Sequence, residues 1–91
     1  MRMHRRAADD ALRTRAYGRH RRGSAYGEMA DAAGRALSRA GRDELDVYRA
    51  RYVEGMNFRR ASEACLMSER TFYRTLNRLL GRVEEEMEKK A

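Results

Sequence analysis

The segment after Ser68 carries polar side chains of the types that recognise DNA bases. At α-helical spacing, four of them share one face and two flank it: Arg70, Arg74, Asn77 and Arg78 on the face, with Thr71 and Tyr73 beside it. A guanidinium can donate two hydrogen bonds to O6 and N7 of guanine, and an asparagine amide can pair with adenine. The pattern predicts a helix that contacts base edges in the major groove of double-stranded DNA, with Thr71 and Tyr73 better suited to backbone oxygens or a thymine methyl.

Other arginines are suited to phosphate contacts, because the guanidinium is planar and permanently charged. They are Arg59 and Arg60 just before this segment and Arg19, Arg21 and Arg22 near the N-terminus. The formal net charge is +7, and eleven arginines stand against four acidic residues between positions 1 and 42. Much of the attraction to phosphate is therefore expected from the N-terminal part of the chain.

Two capping residues and a short break define the elements that must position these side chains. Asn57 is a suitable N-cap for a short helix over Phe58 to Cys65, and Ser68 for a longer one. The break between the helices is Leu66-Met67-Ser68. The long helix has a core-facing stripe opposite its arginines: Phe72, Leu76, Leu79, Leu80, Val83 and Met87.

Acidic residues limit the DNA-facing part of the long helix. If the helix continues straight, Glu85 and Glu88 lie on the same face as Arg74 and repel phosphates. The groove-facing part is therefore expected to stop near Gly81. The acidic cluster could turn from the DNA, meet a basic partner surface or end the helix in solvent.

A short capped helix, a tight break and a longer helix with a basic outer face are typical of a helix-turn-helix, here over about residues 57–82. The stretch DELDVYRARYVEGMNFRRASEACLMSERTFYRTLNRLL resembles region 4 of bacterial sigma factors and, more closely, the small phage and prophage regulators of the RinA-like and ArpU-like group. The shared elements are Arg51-Tyr52-Val53-Glu54-Gly55 and Ser68-Glu69-Arg70-Thr71-Phe72-Tyr73-Arg74. The resemblance implies a sequence-specific transcription regulator whose recognition-helix contacts are Glu69, Arg70, Thr71, Tyr73 and Arg74.

Two positions depart from that pattern. Leu66 stands where glycine commonly makes the turn, and Ser62 where alanine commonly packs between the helices. A leucine at positive φ is strained. We expect either a turn of another shape or a preceding helix that runs one residue longer.

Two further helices are predicted upstream. Asp43 can cap a helix that Gly55 ends through a positive φ, with an inward face of Leu45, Tyr48, Tyr52 and Val53. An alanine-rich helix over Ser24 to Ala40 has an inward face of Tyr26, Met29, Ala33, Leu37 and Ala40. Its small residues could equally receive a second copy of the chain, which makes it the candidate interface of a homodimer.

The fold class predicted is all-α: a small helical domain over residues 24–91, with a C-terminal helix-turn-helix similar to sigma region 4 behind the alanine-rich helix. Residues 1–23 are predicted to be a basic arm that is mobile or conditionally helical. Part of it could be helical from Ala7 to Tyr17. Its apolar content is too small to offset the ordering entropy unless it docks on something.

Composition argues against several other classes of protein. No apolar run approaches the roughly 20 residues that span a bilayer, and no secretory signal is visible, so a cytoplasmic protein without membrane contact is expected. The single cysteine, Cys65, cannot form an internal disulfide. With His4 and His20 it makes no metal site, and we expect no catalytic residues and no cofactor.

The leading function is that of a phage or prophage transcription regulator, with duplex DNA as its partner, a possible contact with RNA polymerase and a possible homodimer. A small terminase subunit is the first alternative, since such packaging proteins also place a helix-turn-helix beside a basic segment and assemble into rings. A protein-interaction module with an acidic partner is the second. A solvated helix face is the alternative for the arginines themselves.

Overall fold

The computed structural model describes residues 2–18 and 25–90, which form an all-helical domain. Within these residues there are five α-helices, one π-helical segment and no strand. The elements are α1 (Arg2–Tyr17), α2 (Ala25–Arg39), α3 (Arg42–Tyr48), the π-segment (Arg49–Val53), α4 (Phe58–Ala64) and α5 (Glu69–Lys90). Helices α1, α2 and α5 pack against one another, and α3, the π-segment and α4 complete the core around them.

Helix α1 occupies most of the segment predicted to be a mobile or conditionally helical basic arm. Ala8, Ala11 and Leu12 are fully buried, and α1 packs against α2 and α5. The arm was predicted because the segment has few large apolar side chains. Alanines instead let the helix axes approach closely, so that one leucine and several methyl groups fill the contact. The docking on which helix formation was conditional is supplied by the chain itself.

Helix α2 confirms the predicted element, but its inward face is rotated. Ala30, Ala33 and Ala36 are buried, whereas Tyr26 is exposed and Leu37 is only partly buried. The small residues offered to a dimer partner are therefore largely covered by α1 and α5. The alanines of α2 pack directly against α1 and α5, so its larger side chains, such as Tyr26, lie outside the core.

Gly34 shows how close that packing is. A Cβ added at Gly34 would lie 2.9 Å from Nη1 of Arg15 on α1. The glycine that weakens α2 as an isolated helix thus leaves room for an arginine of the neighbouring helix.

Helix α3 continues into the π-segment, and the inward face of residues 43–55 differs from the predicted one. Val47 and Tyr52 are buried, whereas Leu45 and Val53 are exposed. In the π-segment the Glu54 amide donates to the Arg49 carbonyl at 2.9 Å. The extra residue in this turn means that a face extrapolated at regular α-helical spacing does not hold across it.

The ends of this element differ in how well they were predicted. Gly41, not Asp43, is the N-cap of α3, and no side chain bonds there. The prediction that Gly55 follows the helix at a positive φ is confirmed, since its φ is 69°.

Helices α4 and α5 form as their caps indicate. The Asn57 side chain accepts a hydrogen bond from the Arg60 amide at 2.9 Å. The predicted stripe of α5 forms the centre of the core, with buried Phe72, Leu76, Leu79, Leu80 and Val83. One face of α5 is thereby committed to the interior over three helical turns, and the opposite face is turned to solvent.

Candidate nucleic-acid interface

The connection between α4 and α5 holds Leu66 in the left-handed conformation that usually requires glycine. Its φ is 57°. The Leu66 amide donates to the Glu63 carbonyl at 3.0 Å and the Met67 amide to the Ser62 carbonyl at 2.9 Å. This pair of bonds is the Schellman arrangement at a helix C-terminus. The turn therefore keeps the glycine-type shape with leucine in it, rather than either of the two alternatives expected from sequence.

Ser68 begins α5 as predicted. Its Oγ accepts a hydrogen bond from the Thr71 amide at 3.1 Å and lies 3.1 Å from Thr71 Oγ1, to which it donates. Thr75 Oγ1 in turn donates to the Thr71 carbonyl at 2.8 Å. The Thr71 hydroxyl thus accepts a hydrogen bond at the helix start, and its own O–H and its methyl group are left for another molecule.

The residues predicted to reach DNA bases are all exposed on α5. They are Glu69, Arg70, Thr71, Tyr73, Arg74, Asn77 and Arg78. Among the hydrogen bonds and ion pairs of residues 2–18 and 25–90, none involves the side chain of Arg70 or Arg74. These two guanidinium groups, one helical turn apart, therefore have donors available for an external acceptor.

Tyr73 is held by stacking rather than left free. Its ring lies on that of Phe58 with centroids 4.8 Å apart and planes 11° apart. The Arg51 guanidinium lies 4.7 Å from the Phe58 centroid, and Arg51 also donates to the Met56 carbonyl at 3.1 Å. Because Phe58 begins α4 and Arg51 belongs to the π-segment, this stack fixes the start of α5 against both. Sequence reasoning missed the contact between Arg51 and the Phe58 ring, because only the fold brings these two residues together.

Arg78 and Arg82 are tied to α3 through a buried carboxylate. Arg82 Nε lies 2.7 Å from Glu44 Oε1, and Arg78 Nη1 lies 3.6 Å from Glu44 Oε2. The Glu44 side chain is 2% exposed. The hydrogen bond from Arg82 to Glu44 raises the pKa of the Arg82 guanidinium. Sequence reasoning did not identify Glu44 as a partner of these arginines, because an acidic residue in the first turn of a helix is common.

The start of α1 lies beside the outer face of α5. Arg5 Nη1 donates to the Asn77 carbonyl at 2.7 Å, and Arg5 Nε lies 3.1 Å from a carboxylate oxygen of Glu84. Arg5 was not a candidate from sequence, because its segment was predicted to be an arm. The contact adds an arginine to the edge of the candidate interface and compensates one acid there.

The acidic C-terminal cluster is partly neutralised within the chain. Glu86 is buried and bonds to Arg35 Nε at 2.9 Å. This bond, with help from Lys89, lowers the pKa of the Glu86 carboxyl although its burial opposes that shift. Glu85 and Glu88 remain exposed. Helix α5 runs on to Lys90, so these two acids continue along it beyond Gly81.

The predicted phosphate contacts are only partly located. Arg59 and Arg60 are exposed at the start of α4, and Arg59 makes a long 3.9 Å ion pair with Glu63. Arg19, Arg21 and Arg22 lie outside the described residues. The two located arginines are one helix away from Arg70 and Arg74, on the element that the Phe58–Tyr73 stack joins to α5.

No group of three or more His, Cys, Asp or Glu side chains within 2–18 and 25–90 is arranged to hold a metal ion. None of the helices described has the length and apolarity needed to cross a membrane. Comparison with protein-family models, with curated proteins and with solved structures found no match.

Proposed function

We propose that this chain is a sequence-specific duplex DNA-binding protein in which α4 and α5 act as a helix-turn-helix and α5 enters the major groove. The observation that carries the proposal is a pair of exposed guanidinium groups, those of Arg70 and Arg74, which bond to no described residue. They lie on the outer face of a helix whose other face is core. A major groove about 12 Å wide admits such a helix.

The length of the outer face fits a short DNA site. The ten residues from Glu69 to Arg78 rise about 15 Å along the helix axis. Base pairs are stacked at about 3.4 Å, so this face can follow roughly four of them. A guanidinium bonded to O6 and N7 of guanine supplies about 1–3 kcal/mol of discrimination. Two such contacts are enough to select a sequence.

Phosphate contacts would orient this face. Arg59 and Arg60 stand on α4, and the Phe58–Tyr73 stack holds α4 and α5 together. Such contacts carry little sequence information but fix the position of the reading helix on the duplex. The resemblance of residues 43–80 to phage and prophage regulators favours transcription regulation as the role of this binding.

Selection of bound sequences from a random duplex pool tests the proposal. We expect the wild-type protein to enrich one short sequence and Arg74→Ala to relax one base position in it, with a loss of discrimination of about five- to 150-fold at that position. Arg49→Ala is a matched control, because Arg49 is also an exposed arginine but stands on the π-segment. It should keep the full base pattern. The proposal is wrong if the wild type enriches no sequence.

Salt dependence separates phosphate contacts from base contacts. Affinity should fall as salt rises, because phosphate binding releases counterions. Deleting residues 1–22 would remove the buried residues of α1, so the N-terminal charges are better tested by replacing Arg19, Arg21 and Arg22 together with glutamine. That variant should bind all sequences more weakly and show a smaller salt slope, with an unchanged base pattern.

A further inference from the structure

Glu44 is a buried acid whose charge is compensated by α5. Its side chain is 2% exposed, and among the described residues the cations that reach it are Arg78 and Arg82. Removing a carboxylate from water is costly unless cations and hydrogen bonds replace the water. Both arginines therefore help to compensate the buried charge of Glu44.

Arg78 is the one of the two that was expected to read a base. Its side chain is 57% exposed, with Nη1 3.6 Å from Glu44 Oε2, while Arg82 bonds to both carboxylate oxygens at 2.7 and 3.4 Å. Arg78 therefore lies near Glu44 Oε2, the oxygen to which Arg82 makes its longer hydrogen bond. Moving its guanidinium to a guanine would take one of two cations away from a buried charge.

The position of Arg78 around the helix supports the same conclusion. At about 100° per residue, Arg74 lies about 40° from Arg70 and Arg78 about 80° from it. Arg82 is further round in the same direction, at about 120°, where it meets Glu44 on α3. Arg78 thus stands at the edge of the outer face, on the side where α3 packs.

We propose that Glu44 is a specificity-determining residue that acts by positioning Arg78. It keeps the Arg78 guanidinium at the edge of the groove, so that direct reading of guanine is limited to Arg70 and Arg74. These two residues are about 6 Å apart along the helix axis, which corresponds to guanines one or two base steps apart. The inference rests on the proposed DNA binding. It specifies that Arg70 and Arg74 contact the bases and that Glu44 keeps Arg78 from doing so.

The test compares base patterns selected by the wild type, Arg78→Ala and Glu44→Gln. The wild type should select two guanines, and Arg78→Ala should select the same two with weaker overall binding. Glu44→Gln keeps the side-chain size and an acceptor oxygen but releases Arg78. It should gain a preference of at least about fivefold for a third guanine beyond that read by Arg74. The double variant with Arg78→Ala should lose this preference.

Glu54→Gln is the matched control for charge, because Glu54 is an exposed acid and takes part in no ion pair of the described residues. It should leave the pattern unchanged. Substituting 7-deazaguanine at each selected guanine removes N7 as an acceptor while keeping base pairing. The substitution should weaken wild-type binding at each of the two selected guanines. It should leave wild-type binding unchanged at a guanine placed where Glu44→Gln gains its third preference.

The results distinguish this inference from the proposed function. If the wild type enriches no sequence, duplex recognition itself is wrong. If the wild type enriches a sequence but Arg78→Ala relaxes one of its bases, or folded Glu44→Gln selects the wild-type pattern, the role of Glu44 is wrong. Should Glu44→Gln fail to fold by circular dichroism, Glu44→Gln combined with Arg82→Gln takes its place, because it keeps a neutral hydrogen-bonding pair while releasing Arg78; it should gain the same third guanine, and the wild-type pattern in this variant would show that the role of Glu44 is wrong.

Discussion

Leu66 offers a direct test of backbone strain in the α4–α5 connection. Its φ is 57° and its side chain is 94% exposed. In this left-handed region the Cβ of an L-residue crowds the following carbonyl oxygen, which costs roughly 1–2 kcal/mol and which glycine avoids. An exposed leucine side chain offers almost no burial in return. We therefore expect Leu66→Gly to stabilise the protein.

The magnitude follows from two opposing terms. Glycine relieves the crowding at Cβ but loses more backbone entropy on folding, by roughly 0.5–1 kcal/mol relative to alanine. The net gain in the free energy of unfolding should be about 0.5–1 kcal/mol. For a chain of 91 residues, this corresponds to a rise in Tm of roughly 2–8 °C.

Urea unfolding followed by circular dichroism measures this gain, and thermal unfolding checks it. Leu66→Ala is the control, because it removes the exposed side chain but keeps the Cβ and the crowding. Its unfolding free energy should stay within about 0.5 kcal/mol of the wild-type value. A loss of stability in Leu66→Gly, or an equal gain in Leu66→Ala, would refute the reasoning that Cβ strain is present in this turn.

Urea unfolding also checks three other expectations. Leu12→Ala should lower the unfolding free energy by about 2–5 kcal/mol, because the side chain is fully buried in the α1 contact; a change under about 0.5 kcal/mol would mean that α1 is not docked. Tyr52→Phe should cost about 1–3 kcal/mol, because the Tyr52 hydroxyl donates to the Asp9 carboxylate. Tyr48→Phe, whose hydroxyl bonds to no described residue, should change little. The pKa of Glu86 is lowered in the folded state. The stability that its charge contributes is therefore present above the unfolded-state pKa of about 4.3 and is lost as pH falls through the folded-state pKa. Glu86→Gln should lose less stability than the wild type between pH 6 and pH 3.

The best predicted elements are those whose signals are local. Asn57 and Ser68 bond to amides within their own first turns, so the chemistry that starts α4 and α5 is contained in a few neighbouring residues. The stripe of α5 is likewise set by one helix with large apolar residues at regular spacing. For this reason the exposed positions of Arg70 and Arg74 could be predicted as well.

The elements that sequence reasoning misplaced depend on partners far along the chain. Ala8 and Ala11 make α1 a core helix only because α2 presents alanines against them, and a methyl group carries almost no periodic signal by itself. The bond between Tyr52 and Asp9 spans 43 residues. The π-segment has no sequence signal that we recognise, and a face extrapolated at regular helical spacing does not hold across it.

The same distinction applies within the candidate interface. The face of α5 follows from its spacing, but the state of each arginine on that face depends on which acid the fold brings near. Arg74 and Arg78 are indistinguishable by residue type, yet Glu44 on α3 reaches Arg78. Whether an arginine is available to DNA is therefore a property of the tertiary structure.

Pairing also divides α5 into two parts with different tasks. Beyond Gly81, Glu84 is held by Arg5 of α1 and Glu86 by Arg35 of α2, so the acids of the C-terminal half anchor α5 to the other two long helices. These contacts span at least 51 residues. They restrain the direction of α5 in the domain, and with it the direction in which the outer face with Arg70 and Arg74 points. A substitution that breaks these ion pairs of the C-terminal half should therefore weaken recognition of every base together, whereas one at Arg74 should weaken recognition of a single base. The two patterns distinguish the orientation of α5 from base contacts made by its side chains.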